Sequence, residues 1–158
     1  LKIIAVMLNQ NPNFFDSWTC KGNSLLRLIH YPPVTNNVNN LRARAHEDIN
    51  LITLLVGAEE SGLEVKSKKG NWVPIKASTN AIVCNIGDMM QLVTDGMLLS
   101  TTHRVISYPE SQSKSRYSMP FFLHPSPDIV LKSIFNNNDD GVLADDFLTE
   151  RLKAIKLY

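Results

Sequence analysis

The sequence predicts a mainly β domain, a sandwich or barrel of antiparallel strands, on three observations. Short apolar runs recur at a spacing of roughly 8–12 residues, which is the rhythm of all-β folds. Turn residues separate them, and no run with helical period stands between one and the next. Helical periodicity is confined to the two ends of the chain.

In order, Leu1 to about Gln10 is apolar enough for a packed helix and is stopped by Asn11-Pro12. Phe14, Phe15 and Trp18 follow in a loop or short helix. Leu25 to Tyr31 is rich in large apolar residues and ends at Pro32-Pro33, so it reads as one strand. Asn36 to Asn40 is a flexible loop that delivers the chain to Arg42-Ala43-Arg44-Ala45-His46-Glu47-Asp48. Leu51 to Val56 and Ala81 to Ile86 are buried runs, and Leu63 to Lys66 alternates. Lys69-Gly70-Asn71 makes a turn into Trp72-Val73-Pro74-Ile75. His103 to Tyr108 and Arg116 to Leu123 complete the strands. Asn136 to Gly141 is a linker or turn. The tail, residues 142–158, reads as a C-terminal helix with acids first and bases last, as the helix dipole favours.

The 158 residues fit one domain with a real core. Hydrophobic residues at 44% and charged residues at 20% are ordinary for a soluble globular protein. A net charge of +1 argues against nucleic acid as a partner, because phosphate binding needs a clustered basic excess. The Lys66-Ser67-Lys68-Lys69 run is a solvated turn. No apolar run is long enough to span a membrane, and the start lacks a signal pattern. Two cysteines cannot build a disulfide framework; Cys84, inside an apolar run, is expected to be a buried thiol in a reducing, cytoplasmic setting. The chain opens at Leu1 directly on helix-like sequence, so it is expected to be part of a longer protein.

Chemistry concentrates at His46 and Asp48, two apart and therefore on one face of an extended strand. A distant imidazole, His103, completes the set of two histidines and one carboxylate that binds non-haem Fe(II) and leaves coordination positions open. Four more features fall around these ligands: Tyr31-Pro32-Pro33 before them, Asn71-Trp72-Val73-Pro74 and Asn85-Ile86-Gly87-Asp88 between them, and Arg116-Tyr117-Ser118 after them.

In that order, these segments resemble the iron- and 2-oxoglutarate-dependent dioxygenase superfamily, in its isopenicillin N synthase-like branch, from about Leu25 to Leu123. The resemblance implies a double-stranded β-helix, or jelly roll, of two antiparallel sheets with flanking helices, forming one catalytic domain over residues 1–158 without an N-terminal segment. It implies Fe(II) on His46, Asp48 and His103, and 2-oxoglutarate held by Arg116, Ser118 and Tyr31. O2 would be the oxidant and ascorbate a reductant. The reaction implied is oxidation of a small organic molecule, with release of succinate and CO2. His30 departs from the pattern, where relatives often carry Asn.

Other side chains have plainer readings. His30 and His124 fit no ligand position, Glu47 faces solvent, and Asp88 is structural. Trp72 and the Phe121-Phe122 pair are core, with one phenylalanine able to line the substrate mouth. Arg104 makes either a contact behind the metal or a surface ion pair. Three other functions compete: a 2-oxoglutarate-independent oxidase of the same fold, a Zn(II) hydrolase, and a non-catalytic jelly-roll module. The sequence does not identify the substrate or the oligomeric state.

Overall fold

A computed structural model describes residues 1–34, 41–56, 61–78, 80–136 and 138–155. Helices α1 (Lys2–Met7) and α2 (Asp16–Thr19) lead into strands β1 (Leu25–Leu26), β2 (Ile29–Tyr31), β3 (Leu41–His46) and β4 (Ile52–Val56). Strands β5 (Leu63–Lys66), β6 (Trp72–Pro74) and β7 (Ile82–Ile86) follow, then helix α3 (Asp88–Val93) and strand β8 (His103–Ile106). After a 3-10 turn at Pro109–Ser111 come β9 (Arg116–Ser118), β10 (Pro120–Leu123), β11 (Val130–Leu131), β12 (Val142–Leu143) and helix α4 (Ala144–Ala154).

Two four-stranded antiparallel sheets, β1-β10-β4-β7 and β3-β8-β5-β6, carry the fold. From β3 onward the chain alternates between them: β4 lies in one, β5 and β6 in the other, then β7, β8 and β10 cross in turn. This winding is the expected jelly roll. Its two sheets leave space between them at one end.

The run Leu25–Tyr31 is two strands rather than one. Leu25 pairs with Phe122, Leu26 with Phe121, Ile29 with Ser118 and Tyr31 with Arg116, all in one unbroken register. The ribbon bends at Arg27-Leu28, where the Arg27 amide still donates to the Pro120 carbonyl at 3.0 Å. Strand propensity shows the ribbon but carries no sign of the bend.

The apolar core lies mainly under the helices. Ala5, Phe15, Leu51, Ile52, Met89, Met90, Val93, Leu131 and Ala144 pack together, joined by Trp18, whose ring centroid is 5.3 Å from that of Phe15. Strand β4 divides two environments by period-2 alternation. Ile52 and Leu54 turn to this core, while Thr53 and Leu55 face the interior of the roll.

Several elements differ from the sequence reading. Helix α3 interrupts the strands where a turn is expected; six residues are too few to register a helical period. Helix α1 ends at Met7, and Asn9 turns the chain with φ of 55°. The C-terminal helix spans Ala144–Ala154, because Val142–Leu143 pairs with β11 instead; residues 156–158 lie outside the described residues. Its acids Asp145 and Asp146 and its bases Arg151 and Lys153 sit at the ends that the dipole favours. Cys84 is exposed, not buried, because it points outward from β7 at the edge of its sheet. The Asn36–Asn40 loop lies outside the described residues. Among the described residues, no helix is long and apolar enough to cross a membrane.

Candidate active site

Strands β3 and β8 run antiparallel with His46 opposite His103, and the two imidazole centroids lie 4.3 Å apart. Asp48 follows two residues after His46, just past the strand end, and is buried at 6% exposure. Its Oδ1 lies 4.0 Å from His46 Nε2 and 3.8 Å from His103 Nε2. One ligand atom from each residue lies within 4.8 Å of the other two.

Both imidazoles are oriented from behind by main chain. His46 Nδ1 faces the Arg44 carbonyl at 2.7 Å, and His103 Nδ1 faces the Thr101 carbonyl at 3.1 Å. A carbonyl can only accept, so each Nδ1 donates, and in the neutral imidazole this leaves the lone pair of Nε2, on the Asp48 side, free for a metal. Fixing the tautomer through the outer nitrogen is what a metal-binding histidine requires. Asp48 Oδ2 is buried without a hydrogen-bond partner among the described residues. Two neutral nitrogens and one carboxylate suit Fe(II), and an orphaned carboxylate oxygen fits a cation bound there.

The Asn85-Ile86-Gly87-Asp88 segment gains a purpose here. The amides of Asp88, Met89 and Gly87 donate to the carbonyls of Asp48 (2.8 Å), Ile49 (3.1 Å) and Leu51 (3.0 Å). The first turn of α3 thus clamps the loop that carries Asp48. Asn50, fully buried in that loop, donates to the Ile52 carbonyl and to Thr53 Oγ1, each at 3.0 Å. Asp88 itself is structural, pairing with Arg151 of α4 at 2.5 Å. Nothing in its composition marked Asn50 as part of this support.

A second group lies on the β2–β9 ribbon. Arg116 and Ser118 are buried while Tyr117 between them is exposed, the alternation expected of a strand with one inward face. Tyr31 is the registered partner of Arg116, whose guanidinium carbon stands 5.5 Å from the Tyr31 ring centroid. Arg116 is 3% exposed, yet its Nε and Nη1 have no hydrogen-bond partner, and no carboxylate pairs with it among the described residues. Burial pushes its pKa below the ordinary arginine value. A desolvated, unpaired guanidinium is costly, and an oxyanion offsets that cost through paired N–H donors.

One cavity of about 300 Å³ is lined by all six residues, His46, Asp48 and His103 together with Tyr31, Arg116 and Ser118. Phe122, of the Phe121-Phe122 pair expected in the core, also lines it, as do Asn85 of the Asn85–Asp88 segment and Arg27 and Arg42, to which the sequence reading assigns no role.

His30 stacks on Tyr117 at 4.8 Å and contacts Ser115 Oγ at 2.9 Å, outside the cavity. His124 is half-buried and does not join the cluster of ligand atoms, although the charge of Asp48 reaches it. Arg104 forms an ion pair with Glu64 at 2.7 Å and lies over the half-buried Trp72, which is therefore a platform rather than core. Glu47 is half-buried and accepts a hydrogen bond from Thr102 Oγ1.

A family model described as the 2OG-Fe(II) oxygenase superfamily matches residues 22–125. The chain belongs to that superfamily. A 2-oxoglutarate-dependent dioxygenase of Didymella fabae is 32% identical over 160 residues, covering 94% of this chain and 48% of its own length. A 2-oxoglutarate-Fe(II) type oxidoreductase of Emericella nidulans is 34% identical over 140 residues, covering 86% of this chain and 39% of its own. The chain thus spans about half the length, or less, of these curated relatives. A full-length Neurospora crassa protein solved with alpha-KG and thymine superposes with a TM-score of 0.89 at 31% identity, over 98% of this chain and 51% of its own. A Caulobacter crescentus structure described as a 2OG-Fe(II) oxygenase family protein gives 0.89 at 43% identity, over 98% of this chain and 53% of its own.

Proposed function

We propose that residues 1–158 form the catalytic roll of an isopenicillin N synthase-like oxygenase, which hydroxylates a small organic substrate using Fe(II) and 2-oxoglutarate. The observation that carries this reading is Arg116, a buried guanidinium with orphaned donors in the same cavity as His46, Asp48 and His103. A zinc hydrolase gives such an arginine no task. A non-catalytic module has no use for two histidines held in metal-binding tautomers.

His46 and His103 would bind the metal through Nε2 and Asp48 through its carboxylate. Arg116 would take the distal carboxylate of 2-oxoglutarate in its fork, with the Ser118 hydroxyl and the Tyr31 phenol adding donors. Iron, 2-oxoglutarate and O2, once bound, would supply the oxidising power, giving succinate and CO2 from the cosubstrate and inserting one oxygen atom into a substrate C–H bond. The protein's residues position the reactants and exclude water, while the hard chemistry belongs to the metal and cosubstrate. Ile29, Leu55, Leu63, Val105 and Phe122 supply the apolar walls for that exclusion. The exposed free thiols of Cys20 and Cys84 support a reducing, cytoplasmic setting.

The test is anaerobic titration of the full-length protein with Fe(II) and then 2-oxoglutarate, followed by exposure to O2. Metal-dependent binding of 2-oxoglutarate and release of succinate are expected. Binding of 2-oxoglutarate that persists in Arg116→Ala, or substrate oxidation with no succinate, would sink the assignment.

A further inference from the structure

The cosubstrate reading uses one of three arginines that line the cavity; Arg42 and Arg27 are left without a task. Arg42 stands on β3, on the way to His46. Its Nη2 donates to the carbonyls of Ser111 at 3.2 Å and Lys114 at 2.8 Å, which fixes the head of the side chain. Its Nε and Nη1 are buried and have no partner among the described residues. The charge of Arg42 also weighs on Arg116, adding to the burial that lowers the pKa of that residue. Arg27 lies at the bend between β1 and β2, exposed at the rim of the same cavity.

The only carboxylate among the described lining residues is Asp48. With iron and Arg116 balanced by Asp48 and the dianionic cosubstrate, the positive charges of Arg42 and Arg27 remain uncompensated among the described lining residues. A desolvated guanidinium edge with free donors is a binding feature for an oxyanion. The neighbouring walls are apolar, namely Ile29, Leu55, Leu63, Val105 and Phe122. We infer that the substrate is a small organic acid, whose carboxylate is received by Arg42 and Arg27 and whose apolar body lies along these walls near the triad.

This inference rests on the oxygenase reading and adds the substrate class to it. A carboxylate on Arg42 leaves Arg116 to the cosubstrate, so the two anions bind side by side rather than in competition.

The experiment uses full-length protein loaded with Mn(II) and saturating 2-oxoglutarate in the absence of O2. It is titrated calorimetrically with benzoate, phenylacetate, cyclohexanecarboxylate and octanoate, and with the amide of each. At least one acid is expected to bind beside 2-oxoglutarate, about tenfold or more tighter than its own amide. Arg42→Gln and Arg27→Ala are each expected to lose about tenfold for that acid and to keep their affinity for 2-oxoglutarate. Arg27 is exposed, so its variant folds even if Arg42→Gln disturbs the Ser111–Lys114 turn. Acids no tighter than their amides, acids that bind only by displacing 2-oxoglutarate, or variants with unchanged acid affinity overturn the inference and leave the oxygenase reading standing. Protein that binds no 2-oxoglutarate overturns that reading and this inference together.

Discussion

The amide of Asp88 donates to the carbonyl of Asp48 across 2.8 Å, so the first turn of α3 fixes the main chain of a proposed iron ligand. The approach depends on Gly87. A Cβ built there would lie 2.0 Å from the Asn50 carbonyl oxygen and 2.5 Å from Asn50 Oδ1. Both atoms belong to a fully buried residue in the Asp48 loop, with no room to retreat.

Gly87→Ala is therefore expected to push α3 away from residues 48–51. Overpacking of this kind costs about 1–3 kcal/mol. Gly70 provides a comparison: its φ is +84°, but a Cβ there meets nothing within 4 Å. Gly70→Ala should show only the strain of a left-handed residue, about 1–2 kcal/mol. Urea unfolding measures the stability loss, and Mn(II) titration measures the damage to the site. Retained metal affinity in Gly87→Ala would show that the clamp does not position Asp48.

Metal binding should couple to folding. The triad belongs to the native state, where three strand and loop segments meet, so an ion bound there stabilises by about 2.7 kcal/mol at a hundred times its Kd. Addition of Mn(II) to chelator-treated protein is expected to raise the melting temperature. His46→Ala, Asp48→Ala and His103→Ala should each abolish that rise. An undiminished rise in any one of them removes that residue from the ligand set.

How far the sequence led depended on the kind of signal each feature leaves. His46, Asp48 and His103 were legible because fixed ligand types at short strand spacing recur in one order with Arg116 and Ser118. The shared inward face of Arg116 and Ser118 on β9 was legible because alternation is local, whereas β4 read only as a buried run, with no sign that Thr53 and Leu55 face the cavity. Alternation along β3 could not single out Arg42, because the strand carries register shifts on either side of Ala43. Strict alternation places Arg44 beside Arg42 and His46, whereas Arg44 is exposed and Ala43 lines the cavity. The bend at Arg27-Leu28 and the exposure of Cys84 depend on which sheet, and which edge, a strand joins. Such relations are long-range and leave no mark in a window of ten residues.

His124 links pH to stability. Burial pushes its pKa below the ordinary histidine value of 6.5, while the charge of Asp48 pushes it partly back. Below that value the unfolded chain takes up the proton more readily than the native protein, so stability falls as the pH falls. The loss begins near pH 6.5 and levels off once the pH passes below the native pKa. His124→Gln removes this contribution. In metal-free protein, the decline in melting temperature from pH 7.5 to 5.5 should be shallower in His124→Gln than in the wild type. Parallel declines would show that the imidazole is equally solvated in both states.

Arg116 sets stability against function within one side chain. Its guanidinium is 3% exposed, has two unpartnered nitrogens and faces no carboxylate among the described residues, so the ligand-free fold holds a desolvated charge. Replacing buried ionic groups by apolar residues of similar volume is often stabilising, by about 1–4 kcal/mol. Arg116→Met is thus expected to bind 2-oxoglutarate at least a hundredfold more weakly and yet resist urea as well as the wild type, or better, when no ligand is present. Arg116→Lys keeps the charge but loses the two-pronged fork, so it should fall between them in 2-oxoglutarate affinity without gaining stability. Unfolding curves without ligand, set beside calorimetric titrations with Mn(II) and 2-oxoglutarate, separate these effects. If Arg116→Met proves less stable by more than about 1 kcal/mol, below the stabilising range for such replacements, the guanidinium already has a partner in the fold and no anion is needed to explain it.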